Sequence, residues 1–139
     1  MTAPAIFPYL PMNRGAYPTT PTPILPFQLE YKTIAIPAEG YLDTGAMISV
    51  LPYSIGLLFG ADWNALPPAL TLAGALVSTP AKLLTITATI GHFPPTMLIF
   101  AWARTDACPL LLGYLNFFLE FDVAFYATRG IFTVEPRTP

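Results

Sequence analysis

The sequence has few charged side chains and very few that bind metal. Lys and Arg number 6 and Asp and Glu number 8, which is 10% of the 139 residues, against about 25% in an average soluble domain. With a formal net charge of −2, the chain lacks the basic surface typical of nucleic-acid binding. One Cys excludes an intramolecular disulfide, and one Cys with one His excludes a zinc site built from these two residue types. We therefore expect no nucleic-acid partner.

The sequence also lacks an uninterrupted apolar run of about 20 residues, the length that a membrane-spanning helix needs. Hydrophobic residues make up 54% of the chain, but the two longest apolar windows, 44–61 and 83–103, are broken by Pro52 and by Pro94-Pro95. The first residues have neither the basic start nor the apolar core of a signal peptide. These features predict a cytoplasmic globular domain without membrane association, whose apolar surface favours a protein partner.

Seventeen prolines argue against long helices and favour short strands joined by turns. Six prolines lie within residues 1–23, so we predict an extended Pro-rich arm that forms no interface sheet, followed by one domain over residues 24–139. The patterns predict an all-β fold with one or two short helices. Strands are predicted at 27–36, 69–77, 82–90, 96–103, 122–126 and 131–134, a turn at 37–40, and helices at 53–59 and 115–121.

The common catalytic motifs of nucleophilic and nucleotide-binding enzymes are missing. The one histidine, His92, lies in the apparent turn Gly-His-Phe-Pro-Pro, and Cys108 has no basic neighbour closer than Arg104 that could lower its pKa. By elimination, any catalysis must use carboxylates. Asp43 differs from the other acidic residues because apolar segments surround it on both sides. Burying a lone carboxylate there would cost several kcal/mol without a partner.

Two motifs make the chain resemble the retropepsin-like aspartic proteases. The first is Asp43-Thr44-Gly45-Ala46, preceded by Tyr-Leu and followed by Ser-Val-Leu-Pro at 49–52. The second is Leu111-Leu112-Gly113, followed by Asn-Phe-Phe-Leu-Glu-Phe-Asp-Val at 116–123. Their order and spacing are those of one protomer of this family. The resemblance covers residues 24–134 and leaves the arm unexplained.

The resemblance implies a single-lobe barrel that acts as a homodimer. Asp43 of each chain would share a proton in a catalytic dyad, because adjacent carboxylates do not both ionise easily. Thr44 would hydrogen-bond across the two-fold axis, Gly45 would allow close approach of the substrate and of the partner loop, and Leu112 and Gly113 would pass behind the loop. The implied activity is hydrolysis of peptides or proteins by an activated water, without a metal or an organic cofactor.

The resemblance also implies a flap and substrate pockets. The flap is the hairpin near Ala73-Gly74-Ala75, for which an ordinary hairpin turn is the alternative interpretation. The pocket residues would be Tyr41, Ala46, Val50 and Leu111, which favour apolar side chains beside the cleaved bond.

One departure from the viral members concerns an ion pair. The acidic residue and the Arg that pair in those members are replaced here by Met47 and Tyr114, so no charge is left alone and an apolar contact could take the place of the pair. The segment after Gly113 is more similar to cellular and bacterial single-domain members. A catalytically silent dimerisation or peptide-binding module of the same fold remains the alternative, because packing motifs persist whether or not a fold cleaves.

Overall fold

Twelve short strands make up most of the computed structural model, which describes residues 3–72 and 78–138. The strands are β1 (Ala5–Pro8), β2 (Leu10–Arg14), β3 (Tyr17–Thr22), β4 (Ile24–Tyr31), β5 (Ile34–Leu42), β6 (Val50–Leu51), β7 (Leu70–Leu72), β8 (Thr79–Thr89), β9 (Thr96–Ala103), β10 (Leu111–Leu112), β11 (Phe121–Tyr126) and β12 (Ile131–Pro136). One α-helix, α1 (Tyr53–Leu58), follows β6. Within the described ranges, no helix is long and apolar enough to cross a membrane.

The largest sheet closes on itself. Its order is β4-β5-β10-β6-β9-β8-β7, and β4 also pairs with β8. The pairs β5–β10 and β6–β9 are parallel, whereas β4–β5 and β8–β9 are antiparallel hairpins. The inward side chains of β4, β8 and β9 alternate with outward ones, and the inward set fills the core with Leu25, Leu29, Leu84, Ile86, Leu98, Phe100 and Trp102. The closed sheet therefore surrounds a packed apolar core.

The predicted unpaired arm is wrong for the described part of residues 1–23. Strand β1 pairs with β12 and completes a second sheet of order β1-β12-β11, while β2 and β3 form a hairpin. Every one of these Pro-containing strands is an edge strand, where a missing backbone N–H that points away from the neighbour costs no ladder bond. Apolar contact adds to the pairing, since the Phe7 ring stacks on buried Phe132 at 5.4 Å between centroids.

The predicted turn at 37–40 is also wrong. These residues lie in the middle of β5, and the chain reverses earlier, at Lys32, whose φ is +55°. The reason is an alternation that continues through the turn-forming residues: Ile36 and Ala38 pack against the core and Leu42 is buried, whereas Pro37 and Glu39 face away from it. Pairing along the whole of β4 therefore overrides the local turn preference.

The single strand predicted at 27–36 is wrong, because the turn at Lys32 divides it between β4 and β5. The remaining predicted elements agree in part. The helix at 53–59 and the strands at 82–90, 96–103, 122–126 and 131–134 correspond to α1, β8, β9, β11 and β12. The described part of the strand predicted at 69–77 is β7. The predicted helix at 115–121 is only one irregular turn, Tyr114–Phe118, interrupted by extended Leu115 and by Asn116 with φ +68°.

Candidate active site

Asp43 lies directly after β5, in a tight turn that its own carboxylate holds. The Gly45 backbone N–H donates to Asp43 Oδ1 at 2.9 Å, and the Ala46 N–H donates to the Asp43 carbonyl oxygen at 3.2 Å. Such a side chain to backbone bond is the usual way an Asp closes a turn. Asp43 and Ala46 are half-buried, whereas Thr44 and Gly45 are exposed. Residues 43–46, called the active loop after the role proposed below, are therefore a turn at the surface of the chain.

Strand β10 lies behind this loop and fixes its start. It is inserted between β5 and β6, so that Leu111 lies beside Tyr41 on one side and Val50 on the other. The Asp43 N–H continues the parallel pairing by donating to the Leu112 carbonyl oxygen at 3.0 Å. Leu112 itself is fully buried. Apolar residues of β10 thus anchor the residue that carries the carboxylate.

Gly113 passes so close to the loop that no side chain fits there. A Cβ on Gly113 would lie 2.5 Å from the Ile48 carbonyl oxygen and 2.9 Å from that of Ala46. Its φ of −109° is accessible to any residue, so the requirement for glycine is steric. The Tyr114 N–H, one residue further, donates to the Ala46 carbonyl oxygen at 2.8 Å.

Ser49 is a site residue to which sequence reasoning gave no role. It is 1% exposed, and its Oγ accepts a hydrogen bond from the Gly113 N–H at 3.1 Å. The bond joins the segment after the active loop to the Leu-Leu-Gly segment, 64 residues apart. The available signal was a polar residue within the apolar run 46–52, since buried hydroxyls need partners.

An apolar rim borders the loop. The loop rim consists of Met47, Tyr114 and Leu115, which are 64%, 44% and 39% exposed. The backbone joins them, because the Leu115 N–H donates to the Met47 carbonyl oxygen at 2.9 Å. Met47 and Tyr114, which the resemblance aligns with the ion pair of the viral members, are therefore joined through neighbouring backbone bonds on exposed surface that adjoins the loop.

The predicted pocket residues differ in exposure, and the predicted flap tip is not described. Tyr41 and Leu111 are half-buried, whereas Val50 is 3% exposed and packs in a small apolar cluster under Leu111. Val50 thus supports the surface that Leu111 presents and does not itself face solvent. Ala73, Gly74 and Ala75 lie outside the described residues, but the antiparallel strands β7 and β8 that lead to them are described.

The two other candidate groups lie in settings that do not favour catalysis. His92 is exposed in the turn between β8 and β9. Cys108 is buried, and burial together with the negative charge of Asp106 raises the pKa of its thiol. A raised pKa leaves a thiol protonated at neutral pH, which makes it a poor nucleophile.

Comparison with known proteins gives a match at the level of structure. No protein-family model and no curated protein sequence matches the chain. Among solved structures, it is similar to a retropepsin-like aspartic protease from Rickettsia conorii, with a TM-score of 0.65 and 18% sequence identity over 97% of this chain and 100% of that one. The predicted fold class is thereby confirmed: the protein has the mostly β, single-domain fold of a retropepsin-like aspartic protease.

Proposed function

We propose that the protein is an aspartic endopeptidase whose active site forms between two copies of the chain. The observation that carries this proposal is the position of Asp43, in a turn held by its own carboxylate and backed by β10 and Gly113. The similar protein from Rickettsia conorii is a protease of this fold. The fold alone does not establish an activity, so the loop geometry supplies the argument.

A dimer is required because each chain contributes one carboxylate at this loop. General acid–base hydrolysis of a peptide needs one group to take a proton from water and another to give a proton to the carbonyl oxygen. Two copies of Asp43 brought together by a two-fold axis would supply both. The exposed loop and its apolar rim favour such an association, since burying the rim removes apolar surface from water. Met47 and Tyr114 would then make an apolar contact where viral members have an ion pair.

The mechanism follows from the shared proton. Two carboxyl groups in contact share one proton, because two negative charges at that distance repel each other strongly. The ionised Asp43 accepts a proton from a water molecule, the water oxygen attacks the scissile carbonyl carbon, and the protonated partner gives its proton to the carbonyl oxygen. The tetrahedral intermediate collapses when the Asp43 that accepted the water proton gives it to the amide nitrogen, the C–N bond breaks, and a hydroxyl proton of the intermediate returns to the partner carboxylate.

The remaining site residues would position the substrate. Thr44, exposed beside Asp43, would bond across the two-fold axis, and Gly45 would let a peptide approach the carboxylates without a Cβ in the way. Tyr41, Ala46 and Leu111 would contact apolar side chains beside the cleaved bond, with Val50 supporting Leu111 from below. The hairpin of β7 and β8 would cover the peptide, with Ala73, Gly74 and Ala75 at its tip.

Digestion of a peptide library by the wild-type chain and by Asp43→Asn, from pH 3 to 8, tests this function. The change is nearly isosteric but removes the shared proton, so we expect cleavage to be lost while the fold and the dimer persist. Asp122→Asn, which neutralises an exposed carboxylate on β11, is the matched control and should cleave like wild type. Activity retained by purified Asp43→Asn would exclude the dyad.

Two further measurements separate the enzyme from a silent binding module. A statine-type inhibitor, whose hydroxyl takes the place of the attacking water, should block cleavage. Specific activity should fall on dilution below the dimer dissociation constant, because each protomer supplies half a site. Peptide binding without any cleavage, at every pH tested, would favour the binding module.

A further inference from the structure

A cavity lies at the base of the β7–β8 hairpin, and the proposed mechanism gives its lining residues no role. Its volume is about 550 Å³, and its walls include Trp63, Pro68, Leu70 and Pro80 together with Lys82 and Arg104. The size falls in the range of small-molecule and peptide-side-chain pockets, roughly 300–1,000 Å³. Most of the wall is apolar, and its charged side chains are both cations.

The two cations converge on one aromatic ring. Lys82 Nζ lies 4.8 Å from the Trp63 ring centroid and Arg104 Cζ lies 5.3 Å from it. Because each is this close to the same centroid, the two charges are no further than about 10 Å apart. Lys82 also donates to the Trp63 carbonyl oxygen at 2.5 Å, which fixes the ammonium group at the cavity wall.

No carboxylate in the described part of the chain forms an ion pair with either cation. The ion pair found in residues 3–72 and 78–138 is Arg137 with Glu120, and residues 73–77, Ala-Gly-Ala-Leu-Val, carry no charge. The acidic residues nearest along the chain accept backbone N–H groups: Asp62 from Asn64 and Asp106 from Ser54. In a chain with only 6 Lys and Arg, two cations at one cavity with no carboxylate partner among the described residues are a concentrated positive charge.

We infer that this cavity binds a carboxylate carried on an apolar body, such as an acidic residue within an apolar peptide or a small organic acid. The guanidinium of Arg104 and the ammonium of Lys82 would contact the carboxylate, and charge-assisted bonds of this kind are the strong ones. Trp63, Leu70 and the two prolines would contact the apolar part. An inorganic anion alone would leave most of the apolar wall unfilled. The site adjoins the hairpin proposed as the flap, so its occupant would contact both strands of that hairpin.

The test measures binding with matched pairs of ligands, by tryptophan fluorescence and by isothermal titration calorimetry. The peptide arm compares N-acetyl-Leu-Glu-Leu-amide with the same peptide containing Gln, and the small-molecule arm compares hexanoate with hexanamide. We expect the carboxylate of at least one pair to bind at least about tenfold more tightly than its amide. The arm with the tighter binding identifies the source. Equal affinity of acid and amide in both arms would overturn the inference, and so would inorganic phosphate binding as tightly as the better carboxylate.

Variants locate the site. Arg104→Gln and Lys82→Gln should each weaken the favoured carboxylate by at least about tenfold. Arg129→Gln is the matched control, because Arg129 also lies over a ring, that of Tyr126 at 4.8 Å, but outside the cavity; it should bind like wild type. Arg104 is exposed, so its substitution should lower the unfolding midpoint only slightly, through the lost contact with the Trp63 ring. Unaltered binding by both cavity variants would refute the assignment. Every measurement is repeated with Asp43→Asn, so loss of the proposed peptidase function would not affect the result.

Discussion

Replacing Gly113 by alanine tests the close passage that holds the active loop. The added methyl would lie 2.5 Å from the Ile48 carbonyl oxygen and 2.6 Å from its carbonyl carbon. An ordinary contact is near 3.5 Å, so the backbone on one side would have to retreat by about 1 Å. Both partners are main chain, and Gly113 is held by Ser49, so no flexible side chain can absorb the displacement.

Overpacking of this kind costs about 1–3 kcal/mol. With a urea slope of about 1–3 kcal/mol/M for a small protein, we expect the unfolding midpoint of Gly113→Ala to fall by roughly 1 M. The shifted segment, residues 46–48, begins at the last residue of the active loop. A displacement of about 1 Å at a catalytic group lowers the rate on the order of 100-fold, so cleavage should fall further than stability alone would explain.

The assay is urea unfolding followed by circular dichroism, at a fixed protomer concentration because dimerisation would add to the apparent stability. Gly60→Ala is the control for backbone strain. Gly60 has a φ of +76° and open space around it, so its alanine variant should lose about 1–2 kcal/mol from conformation and nothing from contact. The φ of Gly113 allows alanine without backbone strain, so any loss of stability in Gly113→Ala must come from the steric clash. An unfolding midpoint equal to that of wild type would therefore refute the clash.

Three further outcomes follow from burial. Ser49→Ala should lower the free energy of unfolding by about 1–3 kcal/mol in urea titration, because the buried Gly113 N–H loses its acceptor; an unchanged midpoint would contradict that. Deleting residues 2–8 should lower the free energy of unfolding by at least about 2 kcal/mol, since Phe132 loses the ring stacked on it. The fluorescence of 8-anilinonaphthalene-1-sulfonate should rise as this surface is exposed, whereas an unchanged free energy would mean that β1 is dispensable. Burial raises the pKa of the Cys108 thiol, so the native state keeps this proton to a higher pH than the unfolded chain. The free energy of unfolding should therefore decrease as the pH rises past the ordinary thiol pKa of about 8.5. Iodoacetamide should react more slowly with Cys108 in the native than in the unfolded protein, and equal rates would contradict its burial.

The sequence alone determined what depends on residues close together in the chain. The alternation over 82–90 predicts β8, because a period of two places every second side chain in the core, and the apolar run within 96–103 predicts β9. The helix at 53–59, ended by Gly60, and the hairpin around Gly130 also follow from local patterns. The Asp-Thr-Gly and Leu-Leu-Gly motifs predict the fold class through resemblance.

Tertiary structure decided what depends on residues far apart in the chain. Residues 37–40 have the composition of a turn, yet pairing with β4 and burial of the alternate side chains keep them extended. Prolines suggested an unpaired arm, yet β12 offers an edge and Phe132 an apolar surface on which β1 packs. The bond from Gly113 to Ser49 and the convergence of Lys82 and Arg104 on Trp63 have no local signal, because they exist only once the barrel closes and long-range contacts outweigh the chain's local preferences.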